Sequence, residues 1–493
     1  MPSPVETVLD QIELPFELRG YQAEDINRHA LDYSCGLWLG LGLGKTVEAT
    51  LIGCYKLIEG GFDHVVVLCP ASLVHQWVKF LREIGLDTVD YRGSPTVRNK
   101  LDMSSDFIVM SYQVFQKDYD RLKSLNSYYI VDEAVLLCNT SNLTYKMLNG
   151  GSRKLPQKKG TIGVPPTIVT YDRIHKGVCL LSATPINKPT DAFGLINIIT
   201  PGVYRNYTQF ERIHVEDFDF FGQPTAYMEL DLLKENLLLQ STQRVPEDHL
   251  DLPDIIYKVI EYELSPKHMA LYNKLLEERF LELEDGSVLD VLQATALYNA
   301  AQRVILNPDE MGLESDPVGL DILDGIVNSV PQFIIFSNYR STNRKLMARY
   351  EIGGIYSEVT PARKDKFISD FQEKLLRGLA AHVKSGGVGL NLQGCQYGIF
   401  GEWPVTGRDI RQAAGRLHRS GQEKTVFITG LVAKGTIQHT LMRRLVDRDV
   451  ITAKVINNPR SLGDDLFGNM EANKKVKKTK EEIIMELRGE VGE

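Results

Sequence analysis

The segment GLGLGKT, residues 40–46, carries the strongest chemical signal in the sequence. Glycines at alternate positions let main-chain amides curl around phosphate oxygens, Lys45 adds positive charge beside them, and the hydroxyl of Thr46 is a ligand for Mg²⁺. An apolar run precedes the segment and a helix-like run follows it, which is the layout of a phosphate cradle. The pattern GxxxxGK[ST] has glycine where this chain has Leu39, so only the GxGKT core is matched.

An acidic pair, Asp132 and Glu133, ends the apolar run YYIVDE. A carboxylate at the tip of a buried strand can enter the shell of a Mg²⁺ ion, and its neighbour can orient an attacking water. The alternative is a solvated acidic turn. Because the pair follows a phosphate cradle, we predict Asp132 as a metal ligand and Glu133 as the residue that orients the water.

Two arginines and a glutamine are regularly spaced in RQAAGRLHRSGQ. Gln412, Arg416 and Arg419 are separated as i, i+4 and i+7, which predicts that they project from one helical face. Guanidinium groups match phosphate oxygens and stay charged at any working pH. The pattern predicts an anion clamp, and a helix bound to neighbours by salt bridges is the alternative.

Weaker signals surround these groups. The side-chain amide of Gln22 can both donate to and accept from an adenine edge. Ser182 and Thr184 lie in the strand-and-turn segment VCLLSATPIN, where small hydroxyl residues can transmit a change at a phosphate. Gly387 and Gly389 belong to a second amide-rich turn that can accept a phosphate.

A segment rich in Lys, Gly and Pro interrupts the first half of the chain at about residues 150–177. It predicts a hairpin-like excursion that carries Arg153, Lys154, Lys158 and Lys159. Two readings stay open. The segment is either a solvated loop or a finger that touches or wedges DNA.

Strands and helices alternate around these groups. The β-branched run HVVVLCP, residues 64–70, predicts a strand buried on both faces of a parallel sheet, and a helix follows with Ser72 as its cap. Further strands are predicted at residues 106–112, 128–133 and 178–187, and a new alternation begins at residue 332. The fold class predicted is α/β, with parallel sheets in two tandem domains.

Composition limits the class of protein. The 493 residues exceed one ordinary core, and the apolar and charged shares, 43% and 24%, are those of a globular protein. Six scattered cysteines without a CxxC pair argue against structural zinc and disulfides. We expect no secretion signal and no membrane span. The net charge of −8 means that contact with nucleic acid must come from local patches or main-chain amides.

The order of these blocks resembles superfamily 2 helicases, and more closely the Swi/Snf-type DNA translocases. GLGLGKT, PASLVHQW, VMSY, IVDEAV and LLSATPIN are similar to motifs I to III of that family. FIIFSNY, SGGVGLNL and QAAGRLHRSGQ are similar to motifs IV to VI. The match spans residues 15–445, and GLNL and HRSGQ are its most specific phrases.

The resemblance implies two RecA-like domains, ATP and Mg²⁺ in the cleft between them, and DNA across both. We expect an N-terminal ATPase domain at 1–235, a bridge and helical part at 236–320, a C-terminal RecA-like domain at 321–460 and a charged tail at 461–493. The site residues that it implies are, for catalysis, Lys45, Asp132, Glu133, Gln412, Arg416 and Arg419; for ATP, Arg19, Gln22, Gly42, Leu43, Gly44, Lys45 and Thr46; for the metal, Thr46 and Asp132; for coupling, Ser182, Thr184, Gly387 and Gly389; for DNA, Pro70, Ser72, Ser111, Tyr112, Lys154, Lys158, Lys159, Ser385 and Asn391.

Two positions depart from the family pattern. Val135 stands where DEAH or DEGH has histidine, which removes a polar link between hydrolysis and DNA movement. Gly415 stands where Swi/Snf proteins commonly have aspartate. We therefore expect a compact bacterial or phage-type relative, monomeric and cytoplasmic, that acts in recombination, repair or fork remodelling. A translocase that displaces proteins such as RNA polymerase, and a non-hydrolysing DNA-binding scaffold, are the alternatives.

Overall fold

The computed structural model describes residues 2–155, 167–218, 222–278, 280–282, 288–290, 294–314, 317–386 and 392–456. Within these ranges the chain divides into two compact units. The first comprises Met1–Val215, Tyr227–Leu250 and Lys454–Asn457, and the second is built mainly from Asp251–Ala453 together with Glu216–Ala226.

The strands are numbered along the chain. They are β1 (Ser34–Leu39), β2 (His64–Cys69), β3 (Thr88–Asp90), β4 (Phe107–Ser111), β5 (Ser127–Asp132), β6 (Gly150–Lys154), β7 (Ile168–Arg173), β8 (Gly177–Leu181), β9 (Val215–Phe218), β10 (Pro224–Tyr227), β11 (Ser241–Arg244), β12 (Ile255–Tyr262), β13 (Phe280–Glu282), β14 (Val288–Asp290), β15 (Phe333–Ser337), β16 (Gly353–Ile355), β17 (Gly378–His382), β18 (Tyr397–Phe400) and β19 (Val426–Ala433).

The α-helices are numbered in the same way. They are α1 (Pro4–Leu9), α2 (Gly20–His29), α3 (Lys45–Ile58), α4 (Val74–Glu83), α5 (Pro95–Arg98), α6 (Tyr112–Leu122), α7 (Leu143–Asn149), α8 (Ala192–Ile199), α9 (Tyr207–His214), α10 (Leu230–Leu238), α11 (Pro266–Glu278), α12 (Ala294–Leu306), α13 (Val318–Ser329), α14 (Arg340–Tyr350), α15 (Pro361–Gln372), α16 (Val383–Gly386), α17 (Gly407–Ala414) and α18 (Ile437–Val455). Short 3-10 helices cover Ala134–Cys138, Pro189–Asp191, Pro246–Asp248 and Pro308–Met311.

The first unit is built on a seven-stranded sheet in the order β11-β1-β8-β5-β2-β4-β3. All its neighbouring strands are parallel. Side chains of β2 alternate between two cores, since Val65 and Val67 pack on one face and Val66 and Leu68 on the other. A strand buried on both faces explains the unbroken apolar run. The carboxyl ends of these parallel strands share one edge, and that edge carries the candidate site.

The second unit contains a six-stranded sheet in the order β12-β19-β18-β15-β17-β16, again with parallel neighbours. Along β15, Phe333 and Ile335 pack in one core, whereas Ile334 and Phe336 pack in the other. The predicted α/β class with two tandem parallel-sheet domains is therefore confirmed.

The basic segment begins and ends as an antiparallel hairpin of β6 and β7, in which Arg153 is opposite Val169 and Lys154 opposite Ile168. The predicted hairpin is confirmed for these strands. Lys158 and Lys159 lie outside the described residues, as does the whole of the predicted charged tail, residues 461–493, with its short helix.

Three sequence predictions differ from the structure. The helix after β2 begins at Val74, its N-cap is Leu73, and no side chain caps it, so the prediction of Ser72 as the cap is wrong. Residues 70–73 form a turn in which Leu73 N–H donates to Pro70 O at 2.9 Å. Residues 241–244, placed in the bridge, form β11 and extend the first sheet beside β1. Helix α17 ends at Ala414, so the single helical face predicted for Gln412 and the two arginines is wrong. Gly415, whose flexible backbone disfavours a helix, caps its end.

Candidate active site

The phosphate cradle lies between β1 and α3, as predicted. Gly42 and Gly44 have φ angles of 83° and 86°, which an L-residue rarely adopts, and Gly44 is the N-cap of α3. A Cβ on Gly44 would lie 2.3 Å from Nε2 of Gln22, so the turn has no room for a side chain there. The amides of the first turn of a helix have no partner within the helix, and they therefore face outward toward an anion.

The ammonium group of Lys45 lies over this turn. Its Nζ donates to the main-chain oxygens of Leu39, at 2.7 Å, and Gly40, at 3.1 Å. Burial raises the pKa of the Asp132 carboxyl, and the charge of Lys45 offsets part of that rise. The lysine of the cradle and the carboxylate at the end of β5 thus act on each other at the same edge of the first sheet.

The acidic pair lies where β5 ends. Burial raises the pKa of Asp132 to about 6, and the neighbouring charge of Glu133 adds to this effect. The Oδ1 atom of Asp132 accepts from the main-chain N–H of Glu133 at 2.9 Å. Glu133 has a φ of 58°, a left-handed conformation that is uncommon outside glycine and turns the chain sharply into the 3-10 helix.

The phosphate cradle and the acidic pair fit Mg²⁺ and a nucleoside triphosphate. Mg²⁺ in proteins commonly takes one or two protein oxygens and completes its shell with water and phosphate oxygens. Thr46 and Asp132 supply a hydroxyl and a carboxylate of that kind. Within the described ranges, no group of three or more His, Cys, Asp or Glu is placed to hold a metal ion by itself.

Gln22, predicted to read adenine, is buried and held at both ends of its amide. Its Oε1 accepts from the N–H of Arg19 at 3.0 Å, and its Nε2 donates to Leu43 O at 3.1 Å. The guanidinium of Arg19 donates to Gly42 O at 3.3 Å. Both residues therefore brace the cradle itself in this conformation.

Arg244 is a supporting residue to which the sequence assigned no role. It lies on β11, its guanidinium bonds to Asp25 and Glu24 on α2, and it lies 5.5 Å from the centre of the Tyr21 ring. The hydroxyl of Tyr21 in turn donates to Leu43 O at 2.8 Å. Arg244 therefore fixes the helix that braces the cradle.

Glu48, one turn into α3, was also missed. Its side chain is fully buried, and neither carboxylate oxygen has a hydrogen-bond partner. Burial, with the nearby charge of Asp25, raises the pKa of Glu48 to about 9. The Glu48 carboxyl is therefore neutral at pH 7 and does not offset the positive charge of Lys45.

The predicted coupling residues of the first unit lie just beyond β8. Thr184 N–H donates to Oγ of Ser182 at 3.2 Å, and Ser182 N–H donates to Leu37 O at 3.2 Å. The hydroxyl of Thr184 is buried without a hydrogen-bond partner. This short turn is thus tied to β1, the strand that leads into the cradle. Gly387 and Gly389 lie outside the described residues.

In the second unit, the three predicted phosphate-contacting residues occupy the end of α17 and the turns after it. Gln412 is buried, and its side-chain oxygen accepts from the guanidinium of Arg408 at 3.2 Å. Arg416 is buried, and Leu392 N–H donates to its main-chain oxygen at 3.2 Å. Burial lowers the pKa of the Arg419 guanidinium. The helix itself is tied to α18 by the ion pair of Arg411 and Asp449.

The residues predicted to contact DNA differ in exposure. Ser72 and Lys154 are exposed, whereas Ser111 and Tyr112 are buried. Ser111 caps α6 by accepting from Val114 N–H at 3.4 Å, and the Tyr112 hydroxyl donates to Asp132 O. Asn391 lies outside the described residues, and Ser385 belongs to α16.

Comparison with known proteins defines the class. The SNF2-related domain family matches residues 33–153 and 167–309, and the helicase conserved C-terminal domain family matches residues 319–421. The chain belongs to the SNF2-related family of superfamily 2, the class of helicase-type, DNA-dependent ATPases.

Individual relatives are distant. An uncharacterized ATP-dependent helicase of Bacillus subtilis, YqhH, is 24% identical over 88% of this chain and 77% of its own length. The DNA repair and recombination protein RDH54 of Saccharomyces cerevisiae is 25% identical over 88% of this chain and 53% of its own. The mouse chromodomain-helicase-DNA-binding protein 1-like is 24% identical over 92% and 52%. The chain thus spans about half the length of the yeast and mouse relatives.

Among solved structures, the SWI2/SNF2 ATPase core of Sulfolobus solfataricus in complex with dsDNA aligns with 91% of this chain and 96% of its own, at 20% identity and a TM-score of 0.41. Among the described residues of this chain, no helix is both long enough and apolar enough to span a membrane.

Proposed function

We propose that this protein is an ATP-driven translocase on duplex or branched DNA. The observation that carries the proposal is the placement of two groups at one edge of a parallel sheet: the glycine-rich cradle with Lys45 follows β1, and the carboxylate of Asp132 ends β5. That arrangement suits binding and hydrolysis of a nucleoside triphosphate. Membership of the SNF2-related family supports DNA as the track.

Each group of the first unit has a separate task in hydrolysis. The cradle amides bind phosphate oxygens, and Lys45 exchanges its contacts with main-chain oxygens for the β and γ phosphates. Thr46 and Asp132 would hold a Mg²⁺ ion, which would supply positive charge to the β and γ phosphates. Glu133 orients the attacking water. We propose that Gln22 and Arg19, which brace the cradle, also contact the adenine base.

The second unit supplies positive charge to the same reaction. We propose that Arg416 and Arg419 contact the γ-phosphate and that Gln412 acts on the same side, as the resemblance to motif VI implies. An arginine that reaches a transferring phosphoryl group contributes about 10³ to 10⁵ in rate. Loss of the γ-phosphate after hydrolysis ends the contact of the arginines with it. Ser182, Thr184, Gly387 and Gly389 transmit the change to the DNA-binding loops.

DNA contact is proposed through the phosphate backbone. The contacts of the first unit are provided by Pro70 and Ser72 in the turn after β2 and by Ser111 and Tyr112 at the junction of β4 and α6. Ser385 and Asn391 provide those of the second unit. Because the Ser111 and Tyr112 side chains are engaged inside the unit, these two residues would use their main-chain groups. Backbone contacts carry no sequence information, so we expect movement along any sequence.

The hairpin of β6 and β7 is an additional candidate for DNA contact. Arg153 and Lys154 are exposed at the end of β6, and Lys158 and Lys159 follow them in the sequence. A positively charged projection on a protein of net charge −8 supplies the local patch that phosphate binding needs.

The direct test of translocation is displacement of a triplex-forming strand from a duplex. The protein and the variant Lys45→Ala are incubated with a duplex that carries a labelled third strand, with and without ATP. We expect the parent to release the third strand only with ATP and the variant to leave it bound. Release that is equal with and without ATP would contradict the proposal.

The biological task proposed is branch migration or fork remodelling in recombination or repair, by a monomer in the cytoplasm of a bacterium or a phage-infected cell. The name of the yeast relative, a DNA repair and recombination protein, supports a task in repair or recombination. Displacement of RNA polymerase or other proteins is the second candidate. ATP-dependent movement of a synthetic four-way junction, compared with eviction of a stalled polymerase, separates the two tasks.

A non-hydrolysing scaffold is the alternative from another class, since Val135 replaces a polar residue that follows the acidic pair. The complete set of Lys45, Thr46, Asp132 and Glu133 favours the enzyme. Phosphate release that does not respond to DNA, in a protein that binds DNA, would favour the scaffold.

A further inference from the structure

The carboxylate of Asp132 is held by a tryptophan from another helix. Nε1–H of Trp77, on α4, donates to Oδ2 of Asp132 at 2.9 Å, and the N–H of Glu133 donates to Oδ1. An ionised carboxylate oxygen has two lone pairs. Each oxygen therefore keeps one lone pair for a metal ion, while the two hydrogen bonds fix the plane of the carboxylate.

The main chain at Asp132 is held from a third element. The hydroxyl of Tyr112, the first residue of α6, donates to the main-chain oxygen of Asp132. Trp77 and Tyr112 are both buried, with 3% and 7% of their surfaces exposed, so neither hydrogen bond competes freely with water. Asp132 is thus fixed at its side chain by α4 and at its backbone by α6.

Helices α4 and α6 connect Asp132 to the part of the first unit that is proposed to contact DNA. Strands β5, β2 and β4 are adjacent in the first sheet, and α4 and α6 begin at the ends of β2 and β4. The proposed function places the carboxyl ends of these two strands on DNA. A phosphate that binds at either strand end therefore acts on a helix whose side chain is bonded directly to Asp132.

We propose that Trp77 and Tyr112 are positioning residues that orient Asp132 for Mg²⁺ and make the affinity of the metal site depend on DNA. The part that concerns DNA rests on the proposed function. The part that concerns Mg²⁺ rests on the contacts within the first unit alone.

The unit offers matched controls for both residues. Trp38, on β1, is buried, and its Nε1 has no hydrogen-bond partner. Tyr129, on β5 itself, is buried with a hydroxyl that has none either. Trp77→Phe and Tyr112→Phe each remove a hydrogen bond to Asp132. Trp38→Phe and Tyr129→Phe remove the same kinds of polar group, an indole N–H and a phenol hydroxyl, from positions where that group has no hydrogen-bond partner. Thermal melting of all four variants verifies folding.

The first measurement is binding of a fluorescent ADP analogue to the full chain, with Mg²⁺ and with EDTA. Loss of a group that orients a metal ligand typically costs about 10- to 100-fold in metal affinity. We expect Trp77→Phe to raise the Mg²⁺ concentration at half-maximal binding by about tenfold or more, with the affinity in EDTA unchanged, and Tyr112→Phe to shift it in the same direction. A purely structural role would weaken binding equally in both conditions. Such equal weakening, or a Trp77→Phe curve that coincides with that of Trp38→Phe, would overturn the proposal.

The second measurement is the Mg²⁺ dependence of ATP hydrolysis with and without duplex DNA. In the parent we expect DNA to lower the Mg²⁺ concentration at half-maximal rate, and in Trp77→Phe we expect DNA to leave it unchanged. A DNA effect retained in full by Trp77→Phe would overturn the dependence on DNA. If the parent does not respond to DNA at all, the proposed function fails, while the binding measurement still decides the role of Trp77.

Discussion

Arg244 and Asp25 are joined by two hydrogen bonds, Nε to Oδ2 at 2.7 Å and Nη2 to Oδ1 at 2.6 Å, although 219 positions separate them in the chain. The pair links β11, the edge strand of the first sheet, to α2, the helix that braces the cradle. Asp25 is almost completely buried, with 1% of its surface exposed, and Arg244 is the partner that compensates its charge.

Replacement of Arg244 should therefore destabilise the first unit. Removing one member of a buried ion pair leaves an uncompensated charge and costs about 3 to 5 kcal/mol. We expect Arg244→Ala to lower the free energy of unfolding by about 3 kcal/mol, measured by urea denaturation. Arg92→Ala, which breaks the more exposed ion pair with Asp90, is the control and should cost less than about 1 kcal/mol. Equal midpoints for the two variants would contradict the assigned role.

The narrow space at Gly44 yields a prediction about nucleotide binding. Gly44 and Gly85 have similar left-handed φ angles, 86° and 79°, but only at Gly44 would a Cβ meet another residue, Gln22 at 2.3 Å. Both alanine variants carry the conformational cost of about 1 to 2 kcal/mol. We expect only Gly44→Ala to displace Gln22 and to weaken binding of a fluorescent ATP analogue by about tenfold or more, equivalent to about 1.4 kcal/mol. Unchanged affinity in Gly44→Ala would show that the cradle tolerates a side chain.

The arginines that follow α17 are predicted to act on hydrolysis rather than on binding. Arg416→Ala and Arg419→Ala should each lower the DNA-stimulated rate of ATP hydrolysis by about 10³-fold, because a guanidinium on the transferring phosphoryl group is lost. Affinity for ADP, which lacks the γ-phosphate, should stay within about twofold of the parent, since binding strength there comes from the cradle. Arg363→Ala, an exposed arginine on α15, is the control. If both variants hydrolysed ATP at the parental rate, the assignment of these two arginines to the reaction would be wrong.

His175 gives a pH dependence of stability. Burial, with the charge of Arg173, lowers the pKa of His175 to about 3, whereas an unfolded histidine titrates near 6.5. The unfolded chain therefore binds one more proton between these values, so stability is fully present above pH 6.5 and is lost as the pH falls. From pH 7 to pH 5 the loss is about 2 kcal/mol.

The measurement is urea unfolding of His175→Gln across that pH range. We expect the variant to lose less stability than the parent on acidification, by about 2 kcal/mol. His75→Gln, in which an exposed histidine is replaced, should follow the parent. Identical pH profiles for the parent and His175→Gln would contradict the assignment.

The sequence predicted those features that local signals encode. Alternate glycines before Lys45 define the cradle, and unbroken apolar runs such as that of β2 define strands buried on both faces. The strand β11 could not be recognised in the same way, because its residues STQR are polar and only pairing with β1 makes them a strand. Its role depends on residues more than 200 positions away.

The support of the site was invisible for the same reason. Trp77 stands in an amphipathic helix where a core position is the ordinary expectation, and its hydrogen bond to Asp132 crosses 55 positions. The spacing of Arg416 and Arg419 suggested a continuing helix, but α17 ends at Ala414 with Gly415 as its cap. Spacing reports which residues share a helical face only while the helix continues.

The rate of phosphate release from Mg·ATP tests the central claim most directly. It is measured without nucleic acid and with single-stranded, duplex, forked and four-way DNA and RNA, for the parent and for Lys45→Ala. We predict that DNA containing a duplex stimulates the parent and that Lys45→Ala lowers the stimulated rate by about 10²- to 10⁴-fold. Hydrolysis by Lys45→Ala at the parental rate in the presence of DNA would contradict the account.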